Sequence, residues 1–132
     1  MTDKKLSIDD LFSDAGAFDE HEVSKALLPH ISIQKSSNLI FFRNHKLPIA
    51  KKIIAYGLAK KLLRQKNIIE TEMITAQEFF GVTKLKKNSI DPTFKMLKDS
   101  GLLVGKREYE IPVSKISEII EILNNSNRHE KK

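Results

Sequence analysis

The chain has 132 residues, with 23 Lys/Arg, 17 Asp/Glu, a net charge of +6 and no cysteine. That length suits one domain with a single modest core, and the missing cysteine excludes disulfides and thiolate metal sites. No apolar run approaches the roughly 20 residues that span a bilayer, and the acidic start MTDKKLSIDDLFSD does not suit a signal peptide, so a cytoplasmic protein without membrane contact is expected.

The charge is unevenly placed. Residues 1–37 hold four Lys against seven Asp/Glu, a net −3; residues 38–109 hold fifteen Lys/Arg against six Asp/Glu, a net +9; residues 110–132 balance at four against four. Residues 1–19 read as an acidic, loosely ordered leader with a small apolar face of Leu6, Ile8, Leu11 and Phe12. It packs on the domain, docks to a protein partner, or rests on the basic surface. A domain over residues 20–124 follows. Glu20 to Leu28 predicts a short helix stopped by Pro29. His30 to Lys35 alternates apolar and polar, and Leu39-Ile40-Phe41-Phe42 is apolar after the turn residues Ser36-Ser37-Asn38, so the two make a hairpin. This extension, residues 20–46, is expected to extend a sheet or to form a dimer contact.

Residues 47–124 form the expected core unit. Leu47 to Lys66 predicts a long helix opened by Pro48, with Ile49, Ile53, Ile54, Gly57, Leu58 and Leu62 at helical spacing. Lys52, Tyr56, Lys60 and Arg64 recur every four residues on one face, either as a solvated side or as a stripe along a phosphate backbone. Asn67 marks the helix end, and the connection bracketed by Ile68-Ile69 and Met73-Ile74 can supply a small third strand. Thr75 and Glu78 have capping-box spacing, so a short helix carrying Phe79 and Phe80 is predicted up to Gly81. After a basic turn from Thr83 to Asn88, Asp91 is expected to cap a second helix with Pro92 at its first position. That helix stops at Gly101. Leu102-Leu103-Val104 and Tyr109-Glu110-Ile111 then flank the charged turn Gly105-Lys106-Arg107-Glu108. Ser114 is expected to cap a last helix to about Asn124, which covers the core or pairs with a second copy. Residues 125–132 read as a disordered tail.

The segment FKMLKDSGLL, with Phe94, Leu97, Gly101 and Leu102, resembles the end of a recognition helix entering a wing. From Leu47 to Leu123 the chain is similar to the winged helix-turn-helix superfamily, although the Thr83–Ile90 connection is longer than the usual tight turn. The resemblance implies a mainly α fold with small β-hairpins, here with an N-terminal helix and hairpin extension. It also implies that the second helix lies in the DNA major groove and that the wing tip touches the backbone.

No constellation for catalysis appears. There is no glycine-rich phosphate loop and no H-E-x-x-H, and His21, His30, His45 and His129 fall in separate segments. No enzyme activity, cofactor or metal is expected. For nucleic acid, Lys84, Lys86 and Lys87 in the turn and Lys106 and Arg107 at the wing tip suit phosphate contacts, while Asn88, Ser89, Thr93 and Lys95 are the candidates for base edges. The expected function is double-stranded DNA binding by a homodimeric transcriptional regulator, with paired helices about 34 Å apart on a pseudo-palindromic site. The alternative is a winged-helix module for protein contacts within a larger assembly. Structured RNA lacks a stacking platform here, since Tyr56 and Tyr109 are isolated.

Overall fold

The computed structural model describes residues 18–130. They form α1 (Glu20–Leu27), β1 (Ile31–Ile33), β2 (Ile40–Phe42), α2 (Ile49–Gln65), α3 (Ala76–Thr83), α4 (Lys87–Asp99), β3 (Val104–Gly105), β4 (Tyr109–Glu110), a 3-10 turn at Val113–Lys115 and α5 (Ile116–Glu130). Among these residues no helix is long and apolar enough to cross a membrane. Residues 1–17, which hold most of the expected leader, lie outside the description, as do 131 and 132.

The Asp19 carboxylate caps α1, accepting from the amides of His21 at 2.9 Å and Glu22 at 3.4 Å. The amide and carbonyl of Phe18 both bond the Gln65 side chain at 3.1 Å, tying the start of the described chain to the end of α2. β1 and β2 pair antiparallel with Ile31 opposite Phe42 and Ile33 opposite Ile40. Among the described residues this hairpin does not extend another sheet, one of the two roles expected of it. It is a two-stranded sheet of its own, and Ile31 and Ile40 bury themselves in the core, with β2 lying against α2.

The central element is α2. A surface helix shows one apolar stripe, yet here every residue from Lys52 to Leu63 is buried. α1, α4, α5 and β2 surround it. Gly57 admits two further neighbours: a Cβ there would stand 2.8 Å from Cδ1 of Ile74 and 3.1 Å from that of Ile111. The helix ends where Asn67 takes a left-handed φ of 61°. The Asn67 amide donates to the Arg64 carbonyl at 3.0 Å and the Ile68 amide to Leu63 at 2.9 Å, the paired bonds of a Schellman end.

Ile74 supplies a third strand of one residue. It exchanges two backbone bonds with Tyr109, at 2.7 and 2.8 Å, so β4 lies between Ile74 and β3. A row of rings, Phe42, Phe79, Phe94 and Tyr109, runs from the hairpin through α3 and α4 to this sheet, with successive centroids 6.3, 6.0 and 5.0 Å apart.

Helix ends depart from the predicted ones in three places. α3 does not stop at Gly81: it continues to Thr83, whose hydroxyl bonds the Phe79 carbonyl at 2.9 Å, and Lys84 takes the left-handed position with φ 62°. α4 begins at Lys87, so Asp91 is not its cap and Pro92 lies within it. The reason is the buried row Ile90, Phe94 and Leu97, whose helical spacing extends the apolar face behind the proline. The connection between α3 and α4 is therefore the three residues Lys84, Leu85 and Lys86, shorter than the sequence suggested. Finally, Pro112 and the 3-10 turn precede α5, so Ser114 does not cap it, and α5 runs on to Glu130 through most of the expected tail. Its residues Ile116, Ile119 and Leu123 are buried against the chain's own core, where α5 packs on α1 and α2.

The loop Lys106–Glu108 between β3 and β4 depends on Gly105, where φ is 129° and a Cβ would stand 1.9 Å from the Glu108 carbonyl oxygen. Gly105→Ala is expected to lower stability by about 1–3 kcal/mol, the usual magnitude of such backbone strain. An unchanged urea midpoint would contradict this account of the loop.

Candidate functional site

The sequence-predicted residues separate into two groups. Lys84, Lys86, Lys87, Asn88 and Ser89 occupy the turn between α3 and α4 and the first turn of α4, and all five are exposed. Local bonds set this turn: the Lys84 amide donates to the Phe80 carbonyl at 2.7 Å, the Leu85 amide to the Thr83 hydroxyl at 3.3 Å, and the Lys86 carbonyl accepts from Ser89 and Ile90. Lys106 and Arg107 are exposed on the β3–β4 loop. None of these five cations has an ion pair among the described residues. From Lys84 to Arg107 the chain carries seven Lys/Arg against two Asp, a net +5.

The fold brings the turn and the loop together. A cleft of about 580 Å³ lies between α3, α4 and the β3–β4 loop, and Lys87, Lys106 and Arg107 line it together with Phe80, Asp91 and Tyr109. Two of the expected base-reading groups are already engaged. The Thr93 hydroxyl donates to the Ser89 carbonyl at 2.7 Å, and the Lys95 ammonium pairs with Asp99 at 3.3 Å. Among the described residues the Asn88 and Ser89 side chains have no such engagement.

The stripe of Lys52, Tyr56, Lys60 and Arg64 is not a surface for phosphate. Lys52, Tyr56 and Lys60 are buried at 9% exposure or less. The Lys52 ammonium lies 5.8 Å from the centroid of the Phe42 ring. The Tyr56 hydroxyl and the Lys60 ammonium both donate to Oε2 of Glu78 at 2.6 Å, and Lys60 also donates to the Met73 carbonyl at 2.8 Å. Burial, with the bond to Glu78, pushes the Tyr56 hydroxyl well above its ordinary value. Arg64 is half exposed, with Nε 3.9 Å from Glu72.

Glu78, Glu72 and Glu110 are the residues that sequence reasoning missed. Buried Lys61 sits 3.2 Å from Glu72 and 3.8 Å from Glu110. The two carboxyls share a hydrogen bond, which raises Glu110 and lowers Glu72 from their ordinary 4.5; burial adds to the rise at Glu110, and Lys61 and Arg64 add to the fall at Glu72. One signal was available: α2 has five Lys/Arg and no acid, so cations on its inner faces had to find carboxylates from other segments. His30 is buried, with Nε2 3.3 Å from the Leu123 carbonyl, to which it donates. The His129 side chain lies outside the described ones. Among the described residues, no group of three or more His, Asp or Glu is placed to hold a metal ion.

No protein family, curated protein or solved structure matches the chain.

Glu78→Ala strands the Lys60 ammonium and the Tyr56 hydroxyl. Its expected cost in urea unfolding is about 2 kcal/mol, below the ~3–5 kcal/mol of a fully buried broken pair, because Glu78 is one-third exposed. Glu110→Gln tests the carboxyl pair. A raised folded pKa gives stability that is present below the unfolded value near 4.5 and is lost as pH rises through the folded value. The glutamine keeps the neutral form, so its melting temperature should exceed the parent's at neutral pH, and the gap should close towards pH 4. A gap that widens in acid would contradict the assignment.

Proposed function

We propose that the chain is a winged-helix protein that binds double-stranded DNA, with the α3–α4 turn and the β3–β4 wing as its contact surface, and that it acts as a transcriptional regulator. The observation that supports this reading is that Lys87, at the start of α4, meets Lys106 and Arg107 of the loop at one cleft, with Lys84 and Lys86 exposed on the adjoining turn and none of the five ion-paired among the described residues. The order α2, Ile74, α3, α4, β3, β4, with β4 central in the small sheet, is what the winged-helix resemblance leads one to expect. The three-residue turn between α3 and α4 removes the departure found in the sequence.

The contacts this surface offers are mainly to phosphates, which orient a protein on a duplex and give salt-dependent affinity but carry little sequence information. Asn88 and Ser89 are the remaining candidates for base edges, because Thr93 and Lys95 bond within α4. The protein-module alternative draws on one observation. Leu39, Phe41 and Val82 are exposed apolar residues, and Val82 lines one depression with Leu39 and another with Phe41.

Fluorescence anisotropy with random duplex DNA between about 50 and 200 mM salt tests the DNA reading. Affinity should fall steeply with salt. In Lys86→Ala/Lys87→Ala, the slope of log affinity against log salt should drop by about two. No binding at the lowest salt would overturn the proposal.

A further inference from the structure

We propose that the cleft between α3, α4 and the β3–β4 loop binds a nucleoside monophosphate. Its volume of about 580 Å³ falls within the roughly 300–1,000 Å³ of small-molecule sites. Three kinds of group line it, and each calls for a different part of a ligand. Lys87, Lys106 and Arg107 have no ion pair among the described residues, and two of them come from the loop and one from α4. Together they suit a phosphate. Phe80 leaves 44% of its surface exposed, whereas its neighbour Phe79 is wholly buried. The core makes no use of the Phe80 ring, which offers a flat heterocycle a stacking face.

Asp91 decides between ligand classes. Its carboxylate also has no partner among the described residues, and it would repel a bare inorganic anion. It would accept hydrogen bonds from an exocyclic amine or a ribose hydroxyl. A simple phosphate leaves Phe80 uncovered, and a purely apolar compound leaves three cations unused. A nucleoside monophosphate engages all of these groups. Binding at this cleft is measured without duplex, so it stands or falls apart from the DNA reading. Since Lys87, Lys106 and Arg107 serve both, the nucleotide and the duplex should compete.

The experiment is isothermal titration of the full chain with adenosine 5′-monophosphate, beside parallel titrations with adenosine and with inorganic phosphate. The nucleotide should bind at least tenfold more tightly than either fragment. Phe80→Ala and Arg107→Ala should each weaken it at least tenfold, Phe80→Tyr should retain it, and Lys35→Ala on the distant hairpin should leave it unchanged. Urea midpoints of the variants confirm that each is folded. The proposal is overturned if the nucleotide does not bind, if it binds no better than phosphate, or if folded Phe80→Ala binds it like the parent. Duplex binding without nucleotide binding rejects this site alone, and the reverse rejects the DNA reading alone.

Discussion

The Glu78 carboxylate ties α3 to the inside of α2, accepting from both Tyr56 and Lys60. α2 is enclosed by its neighbours, so Lys60 and Tyr56 must leave water along with the leucines and isoleucines beside them. Moving an ammonium out of water costs several kcal/mol unless a counter-charge and further hydrogen bonds replace the solvent. Glu78 supplies the charge, and the Met73 carbonyl supplies a second acceptor. Because Glu78 belongs to α3, satisfying the inside of α2 also sets where α3 lies. α3 then carries the three-residue turn, and the turn carries α4. The placement of the exposed lysines thus rests on one partly buried ion pair with a shared acceptor, together with the packing of buried Phe79 against Phe42, Tyr56 and Phe94.

The elements themselves could be read from local rules: the hairpin from alternation, α2 from its period, and the paired helices from the Thr75 cap and the spacing of Phe94 and Leu97. What could not be read was the destination of charged side chains. The four-residue recurrence of Lys52, Tyr56, Lys60 and Arg64 was real, but periodicity shows only that residues share a face. Whether that face meets solvent depends on how many partners surround the helix, which is a property of the whole chain. The capping-box spacing of Thr75 and Glu78 was half informative for the same reason. The Thr75 hydroxyl does accept from the Glu78 amide at 3.0 Å, while the Glu78 side chain is drawn to α2. Gly81 and Pro92 misled because glycine permits a helix end without demanding one, and because buried Ile90 outweighs a proline near the start of α4.

Internal pairing also shapes the outer charge. The segment from residue 38 to 109 holds six acids, and Glu72 and Glu78 turn towards buried lysines. Fewer carboxylates remain to neutralise the turn and the loop. Lys84 adds to this at a local cost, since it holds a left-handed conformation that burdens a non-glycine residue by about 1–2 kcal/mol. At that position the chain keeps a cation where glycine would be more stable.

Pro92 has a mechanical consequence for the same surface. With no N–H, it cannot donate to the Asn88 carbonyl, so the ladder of α4 lacks a rung one turn from its start, the usual place for a helix to bend. The residues before it carry the lysine-rich end and hold to the core through Ile90; those after it are anchored by Phe94 and Leu97. The missing rung is the position at which α4 bends most easily, between the lysine-rich end held by Ile90 and the part held by Phe94 and Leu97.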